Sequence, residues 1–177
     1  MNLRARCMRS SLATIFLLSC LSIVGCAFLF VPKDLDSDTL AQIRADSQPY
    51  QQKGSGSIAG VVKIDTSVGT FVAAQGTQVI LTPATRFALG RFQEYVVEKN
   101  ELPEQRNAEL VWFDRTDAAG HFRFQGLPPG DYLLASPLPW SPSGSVADAR
   151  QEITYARVQL GSGEAADITV TRNVVMK

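Results

Sequence analysis

The sequence predicts an all-β chain: a seven-stranded β-sandwich with one helical insertion, preceded by an apolar leader and a polar tether. Three observations carry this reading. From Ser57 onward, apolar and polar residues alternate with period two in short runs, as in strands with one buried face. The runs are punctuated by Gly, Pro, Asp and Ser, which end strands and favour turns. About 120 residues then suffice for two sheets to bury a core without disulfides.

The leader comes first. Arg4, Arg6 and Arg9 precede an unbroken stretch, Leu12 to Val31, that contains no Asp, Glu, Lys, Arg or His. A positive start followed by an apolar run is the layout of an export signal. The arginine side is expected to stay in the cytoplasm and the side from Lys33 onward to cross. All three cysteines, Cys7, Cys20 and Cys26, lie in this leader, and the 151 residues after Cys26 contain none. The exported part therefore holds no disulfide and no thiolate metal site, although the compartment would be oxidising.

Ile23-Val24-Gly25-Cys26 resembles the lipobox of bacterial lipoproteins, with an aliphatic residue at −3 and a small one before the cysteine to be acylated. Residues 1–26 would then be a lipoprotein signal peptide and Cys26 the lipidated residue. Leu17-Leu18-Ser19-Cys20 offers Cys20 as a weaker alternative, with a shorter apolar region before the cut. Two other readings stay open: an uncleaved anchor helix, since about 20 apolar residues span a bilayer, and an ordinary cleaved signal. The apolar Ala27–Val31 favours the anchor helix. All three place the rest of the chain outside the cytoplasm, at the cell membrane or, with Ala27 after Cys26, at an outer membrane by resemblance.

Residues 27–56 read as a tether, with Asp34, Asp36, Asp38 and Asp46 followed by Ser47-Gln48-Pro49 and a Gly-Ser-Gly run. There is little apolar surface to offset ordering entropy, and a short helix is expected at Thr39–Ala45. The Asp34-x-Asp36-x-Asp38 spacing opens like a calcium loop. Thr39 and Ala45 stand where such a loop needs Gly and Glu, so no metal is expected.

The strands follow within 57–177. Ile58, Val62 and Ile64 share one face of the first run, and Val79 and Leu81 share a face of the second. Glu109–Arg115, Phe122/Phe124, Tyr132/Leu134, Ala156/Val158/Leu160 and Ile168/Val170 complete the seven. An insertion at about 84–108 breaks the rhythm: Leu89, Phe92 and Val96 recur at helical spacing between Pro83 and Pro103. Phe92 and Tyr95 are expected to pack on the sandwich.

The block Thr116–Tyr132 is the most informative. Asp117 can accept from amides ahead of it and start a turn that Gly120 closes at positive φ. Phe122 and Phe124 then point inward, Leu127-Pro128-Pro129-Gly130 reverses the chain, and Tyr132 re-enters the core. With Gly60-Val61-Val62 and Val79-Ile80-Leu81-Thr82-Pro83, this block resembles the carboxypeptidase regulatory-like domain, a transthyretin-like (prealbumin-like) sandwich. The resemblance covers most of residues 57–172 and departs at the long insertion. It implies a non-catalytic accessory module of exported and envelope proteins, related in fold to carbohydrate-binding sandwiches.

The chemistry-bearing residues agree with that implication. Seventeen basic residues balance seventeen acidic ones, and the exported part has 14 (17 less Arg4, Arg6 and Arg9) against 17. Such a balance does not suit a nucleic-acid partner. His121 is the only histidine, and one imidazole beside a turn makes neither a metal site nor a triad. That count excludes hydroxyisourate hydrolase and intradiol dioxygenase chemistry, and no Gly-x-Ser-x-Gly elbow occurs. A cryptic hydrolase with two carboxylates is the remaining enzymatic alternative. No cofactor is expected.

Two tryptophans bear on binding. Trp112 shares an inward face with Leu110. Trp140 is expected in a proline-rich loop, Ser136–Ser145, where it either caps the sandwich end or serves as a ligand contact, stacking on a sugar or a peptide. The expected partners are the membrane, through a lipid or an N-terminal helix, and an envelope protein or glycan.

Overall fold

A computed structural model describes residues 36–103 and 110–172. The leader, with Cys20 and Cys26, lies outside the described residues, as do positions 104–109 at the end of the insertion. The described chain is an all-β sandwich of two sheets. Its strands are β1 (Gly56–Thr66), β2 (Gly69–Val72), β3 (Gln78–Pro83), β4 (Trp112–Arg115), β5 (His121–Leu127), β6 (Gly130–Trp140), β7 (Arg150–Leu160) and β8 (Ala165–Val170).

Among the described residues there are thus eight strands where the sequence suggests seven. The addition is β2, which forms a hairpin with the C-terminal half of β1. Four residues are too few for an alternation to register, and only Phe71 of β2 turns toward the core.

The first sheet is built around β1. It pairs antiparallel with β5 on one side, and on the other with β2 along Lys63–Thr66 and, in parallel, with β8 along Ser57–Val62. Gly60 is where β8 comes closest: a Cβ there would stand 1.9 Å from the Ile168 carbonyl oxygen. Opposite Gly56 and Ser57 the register with β5 skips Gly126, whose φ of 71° suits a bulge that only glycine fills without strain.

The second sheet runs β4-β3-β6-β7, all antiparallel. Between the sheets, Ile58, Val62, Phe122 and Phe124 meet Val79, Leu81, Tyr132, Leu134, Leu138 and Ala156. Tyr132 is fully buried and donates its hydroxyl to the Pro128 carbonyl at 2.7 Å. That bond ties the Pro-Pro reversal to the core, and burial pushes the phenol's pKa up.

Residues read as a tether carry structure. Helix α1 spans Ser37–Ser47, longer than the expected Thr39–Ala45, and a 3-10 turn follows at Gln48–Gln51. Asp36 caps α1 through Thr39 N–H at 2.8 Å; that bond, then the one from the Thr39 hydroxyl, holds its carboxyl below the usual range. Tyr50 packs edge-on against Tyr132 at 5.4 Å and brackets the Asp131 peptide with its hydroxyl. The polar composition concealed this packing because few residues provide it, chiefly Tyr50 with the buried Ile43 and Ser47 of α1.

The insertion forms helix α2 (Arg86–Arg91), which runs on as a π-helical turn through Phe92–Glu98. Thr85 caps its start through Ala88 N–H. Ala88, Phe92 and Val96 bury themselves against Leu133, Ala135 and Ile153 on the outer side of the second sheet. Tyr95 departs from expectation: it is only half-buried and lies under the Lys99 ammonium, 4.3 Å from the ring centroid. The wider π turn carries it past the packed face while Val96 stays on it.

Candidate binding face

Alternation gives each sheet an inner and an outer face, and the two outer faces differ. That of the second sheet is covered by α2 along β6 and β7, with Phe113 of β4 left exposed. That of the first is open along β5, β1 and β8. Its residues stand in cross-strand rows: His121–Val61–Thr169, Arg123–Ala59–Asp167 and Gln125–Ser57–Ala165. Small side chains on the central strand lie between longer polar ones on its neighbours. The result is a trough of about 480 Å³ with Ala59 and Gly60 in its floor and Arg123, His121, Asp167, Asp114 and Asp117 around it.

The trough's rim is held by backbone-directed carboxylates. Asp117 Oδ1 accepts from Ala119 N–H at 2.8 Å and His121 N–H at 2.9 Å, and Gly120 closes the turn at φ 78°. These bonds, that from His121 N–H first, hold the Asp117 carboxyl below the ordinary range. Asp114 reaches across from β4 to accept Arg123 N–H at 2.6 Å. Two amides of the edge strand β5 are thereby taken, which removes a template for strand addition.

The far edge is treated likewise. Asn100 accepts from Ile153 N–H at 2.8 Å and donates to the Gln151 carbonyl at 3.2 Å, and Thr171 takes Tyr155 N–H.

His121 sits, as the alternation implies, on the solvent side of its strand, with Nδ1 3.3 Å from Asp117 Oδ2. No cluster of three or more His, Cys, Asp or Glu able to hold a metal occurs among the described residues. Nor is any helix among them long and apolar enough to cross a membrane.

Trp140 is the last residue of β6, paired with Arg150, and not in a proline-rich loop. Pro137 and Pro139 are accommodated because β3 pairs with β6 only as far as Ala135, leaving β7 as the neighbour beyond. The indole is half-buried at the sandwich end, 5.1 Å from the Phe71 ring and 5.4 Å from the Arg150 guanidinium carbon. Trp112 packs against the core, edge-on to Tyr132.

Sequence reasoning missed Arg123 and Asp167 as neighbours across Ala59. The outward half of the β5 alternation flags Arg123, but only the parallel β1–β8 pairing brings Asp167 beside it.

No protein-family model matches the chain, and no curated protein does. Among solved structures, a Pseudomonas aeruginosa protein described as a candidate carbohydrate-binding protein aligns with 80% of this chain and 99% of its own, at TM-score 0.58 and 23% identity. The minor pilin GBS52 of Streptococcus agalactiae aligns with 68% of this chain and 44% of its own, at TM-score 0.37 and 14% identity. The major pilin BcpA of Bacillus cereus reaches the same TM-score with 12% identity, over 67% of this chain and 29% of its own. The first of these likenesses establishes a shared fold.

Proposed function

We propose that the chain is a non-catalytic binding or structural module of a bacterial envelope, of the carboxypeptidase regulatory-like kind, held at a membrane by acylated Cys26. Cys20 and an uncleaved N-terminal helix are the alternative anchors. The observation that carries the binding role is the open polar trough of the first sheet, set opposite a sheet face that the chain itself covers. Its guanidinium, its imidazole and the Asp114 and Asp167 carboxylates are fixed on strands, and Asp117 on a hydrogen-bonded turn, so they recognise a ligand without reorganising.

The mixture of donors and acceptors over a floor of small side chains favours a hydroxyl-rich ligand such as a glycan. The description given to the Pseudomonas aeruginosa protein is in keeping with that. Trp140 supports this reading less well, because Phe71 and Arg150 already pack against the indole; its first role is to close the sandwich end.

Titration of the full chain with envelope glycans tests the reading. Arg123→Ala with Asp167→Ala should weaken binding by about tenfold or more, the loss expected for two hydrogen bonds to charged groups. Equal binding by that variant, with loss in Trp140→Ala, would move the site to the sandwich end. The intact mass of the membrane-extracted protein, with and without a lipoprotein signal-peptidase inhibitor, tests the anchor: a mass beginning at acylated Cys26 is expected, and an inhibitor-independent full-length mass would replace it with a helix.

A further inference from the structure

The charged side chains of the trough differ in what is left for them to bind. Asp117 gives one oxygen to two backbone amides and turns the other to His121 Nδ1 at 3.3 Å. Asp114 takes the Arg123 amide, and Arg115 donates Nη1 to the Gly76 carbonyl at 2.8 Å. Arg123 and Asp167 remain. Among the described residues neither forms an ion pair, with the other or with any neighbour.

The sheet register fixes how these two stand. Both are cross-strand partners of one residue, Ala59, Arg123 from the β5 side and Asp167 from the β8 side. Two strand spacings put their backbones about 10 Å apart, with the Ala59 methyl between them. From this arrangement we infer that the trough selects a glycan unit carrying both an anionic and a cationic group, such as a sugar with a carboxylate and a free ammonium. The inference rests on the glycan reading of the trough and names the class of glycan.

Arg123 is set for the anion. With its amide oxygen turned to the guanidinium, Gln125 accepts from Arg123 Nε at 3.0 Å and from Nη2 at 3.3 Å. A neighbour on the same strand face thus holds one edge of the fork and leaves the Nη1–Nη2 end for a ligand. Two parallel N–H groups suit a carboxylate, and their orientation is set before binding.

Asp167 is set for the cation. Its carboxylate accepts no hydrogen bond from the described residues, so both oxygens are open to an ammonium. The floor keeps the two charges apart: a longer side chain at position 59 would fill the gap, whereas a methyl leaves it for a sugar ring. Both groups are exposed, so each contact is weak alone in water. Discrimination comes from a ligand that meets both.

Four related sugars test this by calorimetric titration of the full membrane-extracted chain. Muramic acid carries the carboxylate and the ammonium, N-acetylmuramic acid the carboxylate alone, glucosamine the ammonium alone, and glucose neither. Muramic acid should bind tightest, with a loss of about fivefold for each group removed, as expected for one hydrogen-bonded contact. Arg123→Ala should erase the advantage of the carboxylate and keep that of the ammonium. Asp167→Ala, and Asp167→Asn with its unchanged shape, should do the converse. Equal binding of the four sugars, or a charge preference that survives these substitutions, would overturn the inference and leave the glycan reading in place. Failure to bind muramic acid in a chain that binds envelope glycans would overturn it too. A chain that binds neither the four sugars nor envelope glycans refutes both readings.

Discussion

The outer faces of the two sheets begin from the same alternation and end with opposite surfaces. On the second sheet the outward positions along β6 and β7 include Leu133, Ala135, Ile153 and Tyr155, apolar residues that α2 covers, while Phe113 on β4 stays exposed. On the first they are mostly polar, Ser57, His121, Arg123, Gln125, Asp167 and Thr169, with only Ala59, Val61 and Ala165 apolar among them. The long insertion thus belongs to the face whose outward residues demand it. What a sheet does with its outer face is decided by the half of the alternation that a search for the core passes over.

Substitutions on the covered face should cost most. Leu133→Ala removes a side chain buried between sheet and helix and is expected to lower stability by about 2–5 kcal/mol in urea unfolding. Little change would mean that α2 is not packed there. Gly60→Ala sharpens the comparison from the other side, since the first sheet is open outside but tight where β8 crosses β1. The new methyl would meet the Ile168 backbone carbonyl, and a loss of about 2–4 kcal/mol, with β8 exchanging its amides faster, is the expected outcome. Asn100→Ala should cost about 1 kcal/mol by freeing the Ile153 amide and the Gln151 carbonyl on the β7 edge.

Acid should loosen the rim of the open face. Asp117 is depressed in the folded state by the His121 and Ala119 amides, so its contribution is fully present above the unfolded carboxylate pKa. It is lost as pH falls through the lower folded value. The Tm difference between wild type and Asp117→Asn should therefore shrink below about pH 4. Asp36 and Asp148 are lowered in the same sense, Asp148 chiefly by the Ser141 hydroxyl. The smallest effects belong to the trough: Arg123→Ala and Asp167→Ala should each move stability by no more than about 0.5 kcal/mol, the usual range for surface changes. A larger loss would make these residues structural.

Much of the fold could be read before the structure. Period two located seven strands, the Asp117–Gly120 turn followed from side-chain chemistry, and Leu89, Phe92 and Val96 announced the helix. What escaped was set by contacts between distant residues. The hairpin strand β2 has one core-facing residue, Phe71. In residues 36–51, Tyr50 meets Tyr132, more than 80 positions away. The expectation of a loop around Trp140 failed because prolines were weighed without knowing that β6 has one neighbour there. The candidate site was least legible, since Asp167 joins Arg123 only through a parallel pairing that no local pattern encodes.

Because His121 is the sole histidine and its side chain is 63% exposed on the open face, its rate of acylation by diethylpyrocarbonate, read by mass spectrometry on the peptide that contains it, reports on that face. The most direct measurement compares this rate in the purified chain and in isolated envelopes. Slowing of several-fold in envelopes, reversed by Arg123→Ala with Asp167→Ala, is the expected result. The same rate in both settings would leave the open face without a ligand and contradict the binding role assigned to it.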